Sequence, residues 1–419
     1  MRLYILVAGI TAVITFLLSI VVYRVSLKYR LYPKIRARDV HTTPTPRLGG
    51  IAMFIGVVCG FAIASQIDFF RLVFSDMTPI YAILGGALLI VVIGVADDIW
   101  DLDWMTKLAG QFIAAGLIAW LGVQIYSLPI GGLTVGSPLM SVTMTVFAIV
   151  LVMNAINFID GLDGLVAGVA LMANGIFFIY TYILQIDVSP SNYFNLASLI
   201  AAVLVGACAG FLPLNWHPAK LFMGDAGALL VGLLMATSAI AVTGQIDPTT
   251  LSTLGRSELL PAFLPIILPL AVLIVPLLDF ALAVIRRLRA GKSPFSADRK
   301  HLHHRLLDMG HTHLHAVLIF YGWTAVVSVG CLMFYIFQPY WIAIGFMAVG
   351  LLICTAVTLA PLSRHKAVQA AAALVPAESQ HAAGTAHLDP LDRASSDARL
   401  SATDPASVAD QASVTKEHS

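Results

Sequence analysis

The sequence predicts an all-α polytopic integral membrane protein with about eleven transmembrane helices, and three observations carry that expectation. The chain is 59% hydrophobic and only 11% charged, whereas soluble domains carry about a quarter charged residues. Long apolar runs recur from the first residues to position 361, each near the roughly 20 residues that a helix needs to cross a bilayer. The side chains capable of chemistry collect in every second connection between those runs.

The runs fall at 3–22, 48–67, 79–96, 107–123, 141–158, 164–186, 195–214, 221–243, 261–284, 315–337 and 341–361. The first resembles a signal peptide in length, but no small-residue cleavage site follows it, and Tyr23-Arg24 leads straight into a basic loop. It reads as a retained helix. Cys59, Cys208, Cys331 and Cys354 all lie inside apolar runs, so they read as small core residues rather than a disulfide framework. A net charge of +1 argues against a nucleic-acid partner, which demands a basic face. After Pro361 the composition turns to Ala, Ser, Asp, Gln and His, and no apolar period is sustained. The expected division is therefore a transmembrane domain over 1–361 and a cytoplasmic tail over 362–419, disordered from about 373.

Basic residues give the orientation. They concentrate between Arg24 and Arg47 and again between Arg286 and Arg305, and short loops rich in Lys and Arg stay in the cytoplasm. The amino terminus is then outside, the connections after runs 1, 3, 5, 7 and 9 are inside, and so is the tail. The outer connections are bland. The inner ones carry HTTPTPRLGG (41–50), ADDIWDLDWMTK (96–107), NAINFIDGLDG (154–164), NWHPAKLFMGDAG (215–227) and RKHLHHRLLDMGHTHLH (299–315).

Asp97 and Asp98 close one apolar run, Asp160 and Asp163 stand three residues apart, and Asp225 completes five carboxylates at one membrane surface. One such pair alone reads as a solvated helix end. Five together read as a site, because ionisable groups at membrane depth face a bundle interior or a water-filled cavity. Clustered carboxylates repel unless a cation holds them. Oxygen donors suit Mg²⁺, which takes one or two protein carboxylates and completes its shell with water and substrate phosphates. The histidines at 301–315 allow a zinc-binding tract as the plainer reading, but Arg299, Lys300 and Arg305 around them favour an anion. Glycines at 49, 50, 161, 164, 224 and 227 permit close backbone approach to a ligand or to another helix. Acidic metal-binding turns facing basic loops suggest a phosphorylated substrate and phosphoryl transfer.

TPRLGG, ADD followed by Lys107, NAINFIDGLDGL, NW followed by LFMGDAG, and HLHHRLLDMG together resemble the motif set of the polyprenyl-phosphate N-acetylhexosamine-1-phosphate transferases, in order across 1–361. The HLHHR form and Arg47 are similar to the WecA/TagO branch rather than the branch of the first peptidoglycan lipid intermediate. The resemblance implies a bacterial plasma-membrane enzyme with a cytoplasmic-face active site. It implies UDP-N-acetylglucosamine and a polyprenyl phosphate as substrates, Mg²⁺ as cofactor with Mn²⁺ as a substitute, and a homodimer as one admissible assembly. The product, a polyprenyl-diphospho-sugar, begins a cell-envelope polysaccharide.

Residue by residue, the resemblance implies that Asn157 and Asp225 hold the metal. Asp160 lies near that metal, Asp97 and Asp98 activate the lipid phosphate, and Asp160 and His303 also count as catalytic. Asp163, Asn215 and Phe222 surround the uracil, Lys107 and Arg47 contact phosphates, and His301, His304 and Arg305 lie over the sugar and diphosphate. Two other classes compete, a transporter and a lipid-linked sugar flippase. Both call for ionisable residues near helix middles, which here are almost wholly apolar.

Overall fold

A computed structural model describes residues 1–32, 45–126, 137–188, 192–243, 271, 274–289, 291, 302–337 and 339–373. Among them all regular structure is helical. The chain divides into two units, Met1–Ala360 and Pro361–Ser419. Twelve α-helices are described: α1 (Arg2–Lys28), α2 (Gly49–Ala64), α3 (Thr78–Trp100), α4 (Trp104–Trp120), α5 (Pro138–Ile159), α6 (Leu165–Val188), α7 (Asn192–Asn215), α8 (Gly224–Thr243), α9 (Ile274–Arg289), α10 (Leu302–Asp308), α11 (His313–Ile336) and α12 (Trp341–Ala373). Short 3-10 turns at Asp68–Phe70 and Val73–Ser75 join α2 to α3.

Eight of these helices are long and apolar enough to span a membrane. They coincide with eight of the eleven expected runs. Two more runs, 48–67 and 107–123, are the shorter helices α2 and α4, of 16 and 17 residues. Most of the run 261–284 lies outside the described residues, with α9 covering its end.

Local chemistry sets several helix starts. Pro79 and Pro138 lie in the first turns of α3 and α5, where proline's missing N–H costs nothing. Asp103 caps α4 by accepting the Thr106 N–H at 3.0 Å, and Thr312 caps α11 by accepting the His315 N–H at 3.3 Å. The Thr106 hydrogen bonds hold the Asp103 carboxyl below the usual carboxylate range.

Helix α8 is the centre of the first unit. Its span is 89% buried, against 6% for the last span, Trp341–Ala360. It packs on α2, α3, α5 and α7, while α7 also packs on α1 and α6. Small residues permit this density: Gly206 and Gly210 of α7 sit against the Ala8 and Ala12 carbonyls of α1, where a Cβ would not fit. Lipid offers no hydrophobic drive for helices to associate, so such close backbone packing does much of the binding between them. The bulk of the buried side chains form one apolar cluster through α1–α8. A second, smaller cluster joins Leu162 and Leu165 to Leu306 of α10 and to Val317 and Phe320 of α11.

Candidate active site

The site forms where the ends of α3, α5 and α7 meet the starts of α2, α4, α6 and α8. Three backbone hydrogen bonds lace the segment before α2 to the segment before α8. Phe222 N–H donates to the Pro46 carbonyl (2.8 Å), Gly49 N–H to Phe222 (3.0 Å) and Gly50 N–H to Met223 (3.0 Å). TPRLGG and LFMGDAG are thus one structural piece. Gly50 presses on the Gly227 N–H and Gly94 on Ala226, so a side chain at either would force the helices apart.

Lys107, in the first turn of α4, donates to Asp97 Oδ2 at 3.0 Å and to Asp225 Oδ2 at 3.3 Å. One ammonium therefore joins the last turns of α3 to the first turn of α8. The Asp97 and Asp225 carboxyls are themselves within hydrogen-bond reach of each other, and the Asn157 side chain of α5 hydrogen-bonds Asp225. Asp98 accepts the backbone N–H groups of Asp225 (3.3 Å) and Ala226, capping α8 from a neighbouring helix. Anions are favoured there by the helix dipole. Gly224, at φ +70°, makes the turn into α8; a Cβ would collide with the Arg47 carbonyl and the Asp98 carboxylate.

Asp160 ends α5 and feels the Asp225 and Asp163 carboxylates and the Arg47 guanidinium. Burial first, then Asp225, push its carboxyl up to about 7, with Arg47 opposing. Asp163 and Asn215 are buried at 4% exposure each. Asp163 Oδ2 accepts from the Ala219 N–H (3.0 Å) and His217 Nδ1 (2.8 Å). Asn215 accepts the Gly164 N–H and donates to the Leu221 carbonyl, both at 3.0 Å. These bonds tie the DGLDG turn to the loop carrying Phe222.

Arg47, Asp97, Asp98, Lys107, Asn157, Asp160 and Asp225 are thus brought together, with Asp163, Asn215 and Phe222 adjoining. Of the histidine segment, His301 lies outside the described residues, while His303 and His304 fall within α10. Arg305 of α10 is exposed, and among the described residues no hydrogen bond or ion pair joins it to the carboxylates. Sequence reasoning missed four participants. Gln111 of α4 accepts from the Asn154 amide of α5, one turn below Lys107 and Asn157. Tyr321 of α11 donates to the Gly164 carbonyl. Arg287 of α9, 5% exposed, lies 5.8 Å over the Phe158 ring, and His217 holds Asp163. His217, inside a polar motif, and Arg287, inside the basic segment that sets the orientation, carried a local signal.

Among the described residues, no three His, Cys, Asp or Glu side chains lie close enough to cage a metal unaided. The donors present are hard oxygens. Asp97 Oδ1 and Asp98 Oδ2 are buried without a hydrogen-bond partner among the described residues. That set fits a cation that completes its shell from a phosphate ligand and water, as Mg²⁺ does.

The helical membrane bundle thus carries a carboxylate and lysine cluster at one end of its helices. The sequence profile of glycosyl transferase family 4 matches residues 80–243. The chain is 39% identical to the decaprenyl-phosphate N-acetylglucosaminephosphotransferase of Mycolicibacterium smegmatis, over 85% of this chain and 88% of the relative. It is 40% identical to the Mycobacterium tuberculosis protein of the same name, over 80% and 82%. It is 30% identical to the undecaprenyl-phosphate alpha-N-acetylglucosaminyl 1-phosphate transferase of Escherichia coli, over 76% and 81%. The chain belongs to this family of polyprenyl-phosphate N-acetylglucosamine-1-phosphate transferases.

Proposed function

We propose that the protein transfers N-acetylglucosamine 1-phosphate from UDP-N-acetylglucosamine to a polyprenyl phosphate at the inner face of a bacterial plasma membrane. An oxygen of the lipid phosphate attacks the β-phosphorus of the sugar nucleotide. The bond to the α-phosphate oxygen breaks, UMP leaves, and a polyprenyl-diphospho-N-acetylglucosamine remains. The observation that carries this reading is Lys107 set between Asp97 and Asp225, with Asp98 on the start of α8. Three helices meet there to present both a cation and metal-binding oxygens to phosphate groups.

Asn157 and Asp225 would hold Mg²⁺, with the buried Asp97 and Asp98 oxygens close by. When bound, the ion neutralises charge on the diphosphate. Lys107 and Arg47 offset the repulsion between two anionic reactants. A phosphate monoester has its second pKa near 6 by analogy with phosphorylated side chains, so the lipid phosphate is already largely dianionic at neutral pH. Asp98 therefore orients the nucleophile more than it deprotonates it. Phe222 offers a ring to the uracil, while Asp163 and Asn215 fix the backbone around it. The amino terminus lies outside and the site faces the cytoplasm, as the basic segments around Arg24–Arg47 and Arg286–Arg305 favour.

Release of UMP from UDP-N-acetylglucosamine by purified protein supplied with polyprenyl phosphate and Mg²⁺ tests the proposal. Movement of a substrate across proteoliposomes without UMP would overturn it in favour of transport. Competing nucleotide sugars in the same assay identify the donor.

A further inference from the structure

We infer that His217 is a positioning residue that ties the start of α11 to the DGLDG turn and the loop leading into Phe222, and so sets affinity for the sugar nucleotide. The inference rests on the transferase reading above.

A carboxylate only accepts, so the 2.8 Å contact fixes His217 as Nδ1–H donor to Asp163 Oδ2. That oxygen also takes the Ala219 N–H. The imidazole is therefore held from one side by a carboxylate whose side chain is 2% exposed. Its ring face is held from the other side: His313, in the first turn of α11, stacks on it with centroids 5.5 Å apart and planes 7° apart. The Asp163–His217–His313 chain crosses three segments that are far apart in sequence. They are the turn after α5, the loop between α7 and α8, and the α10–α11 corner.

Two further contacts follow the same path. Tyr321 of α11 donates to the Gly164 carbonyl, and Leu306 of α10 packs in one apolar cluster with Leu162 of the turn. They lie at the near end of the packing of α11 along α6. The histidine pair ties the first turn of α11, directly after α10, to the loop that leads into Phe222 and Asp225. A wall of Asp163, Trp216, His217, His313, Leu314 and Val317 encloses this junction. Loss of the His217 donor would cut Asp163 and the loop leading into Phe222, the side of the site proposed to take the uracil, from the first turn of α11. The expected kinetic mark is weaker substrate binding with chemistry preserved.

The test uses the full-length protein and UMP release with polyprenyl phosphate held at saturation. His217→Phe keeps a ring to stack on His313 and loses the donor, whereas His217→Asn keeps a donor and loses the stack. A charge-assisted hydrogen bond of this kind corresponds to about a tenfold change. For His217→Phe, KM for UDP-N-acetylglucosamine is expected to rise about tenfold while kcat stays within about threefold. His217→Asn breaks the other link of the same chain, so its KM is expected to rise about tenfold as well, with kcat within about threefold of wild type. Thermal unfolding of each variant shows that it is folded. A Phe variant indistinguishable from wild type, or a fall in kcat without a change in KM, would overturn the inference. If either variant fails to fold, His313→Ala decides from the other side of the stack, with the same rise in KM expected and an unchanged KM overturning the inference. A wild-type protein that releases no UMP sinks the transferase reading instead, which separates the two failures.

Discussion

The Asp98 carboxylate of α3 accepts the Asp225 backbone N–H at the start of α8 across 3.3 Å. A side chain facing the proposed phosphate site is thereby also a cap for the helix that presents the proposed metal donor Asp225. The two duties separate by substitution. Asp98→Asn keeps an acceptor oxygen, so its melting temperature should stay close to wild type while turnover falls on the order of a hundredfold. Asp98→Ala leaves buried N–H groups without that acceptor and should also destabilise by about 1–3 kcal/mol. Thermal unfolding in detergent alongside UMP release distinguishes them.

Lys107 is a point charge between two carboxylates at 3.0 and 3.3 Å. Lys107→Met should lower kcat/KM by about 10²–10³-fold, the range for losing one preorganised electrostatic group. Lys107→Arg should recover little of it, because a planar fork does not reproduce a compact ammonium seated between Asp97 and Asp225. Initial-rate kinetics on both variants check this; an Arg variant with wild-type rates would contradict it.

Asp160 predicts a pH dependence. Its folded-state pKa of about 7 lies above the ordinary 3.8, so between those values the folded chain keeps a proton that the unfolded chain has released. Stability therefore falls as pH rises through that window. In chelator, the melting temperature should drop between about pH 4 and 7, and Asp160→Asn should flatten that slope. Differential scanning calorimetry across pH reads it directly.

Gly224 combines a positive φ with a collision course toward Arg47 and Asp98 for any Cβ. Gly224→Ala should cost about 1–2 kcal/mol in backbone conformation alone and displace the Asp98 carboxylate, lowering activity as well as stability. Gly116→Ala is the control: nothing lies within 4 Å of a Cβ there, and inside α4 it should stabilise by about 0.5–1 kcal/mol. Paired unfolding curves settle the comparison.

Hydropathy made most of the helices legible because a lipid-crossing segment must be long and apolar whatever its neighbours do. The convergence of Asp97, Asp98, Lys107 and Asp225 was legible too, since each sits at a helix end on the same side of the bundle. The pairings themselves were not. Asn154 with Gln111, Asp163 with His217 and Gly164 with Tyr321 are separated by 43, 54 and 157 residues. Tyr321 looks like one more aromatic on an apolar helix, and only the fold reveals that its hydroxyl holds the DGLDG turn. Asp163 and Asn215 read as ligand groups from their motif, while the structure shows their bonds bracing the loops that frame the site.

The lacing of Pro46, Gly49 and Gly50 to Phe222 and Met223 uses main-chain atoms alone. Its register is indifferent to which side chain occupies position 222, so the aromatic there can be exchanged without loosening the scaffold. Under the proposed stacking of Phe222 on the uracil, nucleobase preference can then be redesigned, or drift over generations, on a frame whose carboxylates stay where they are.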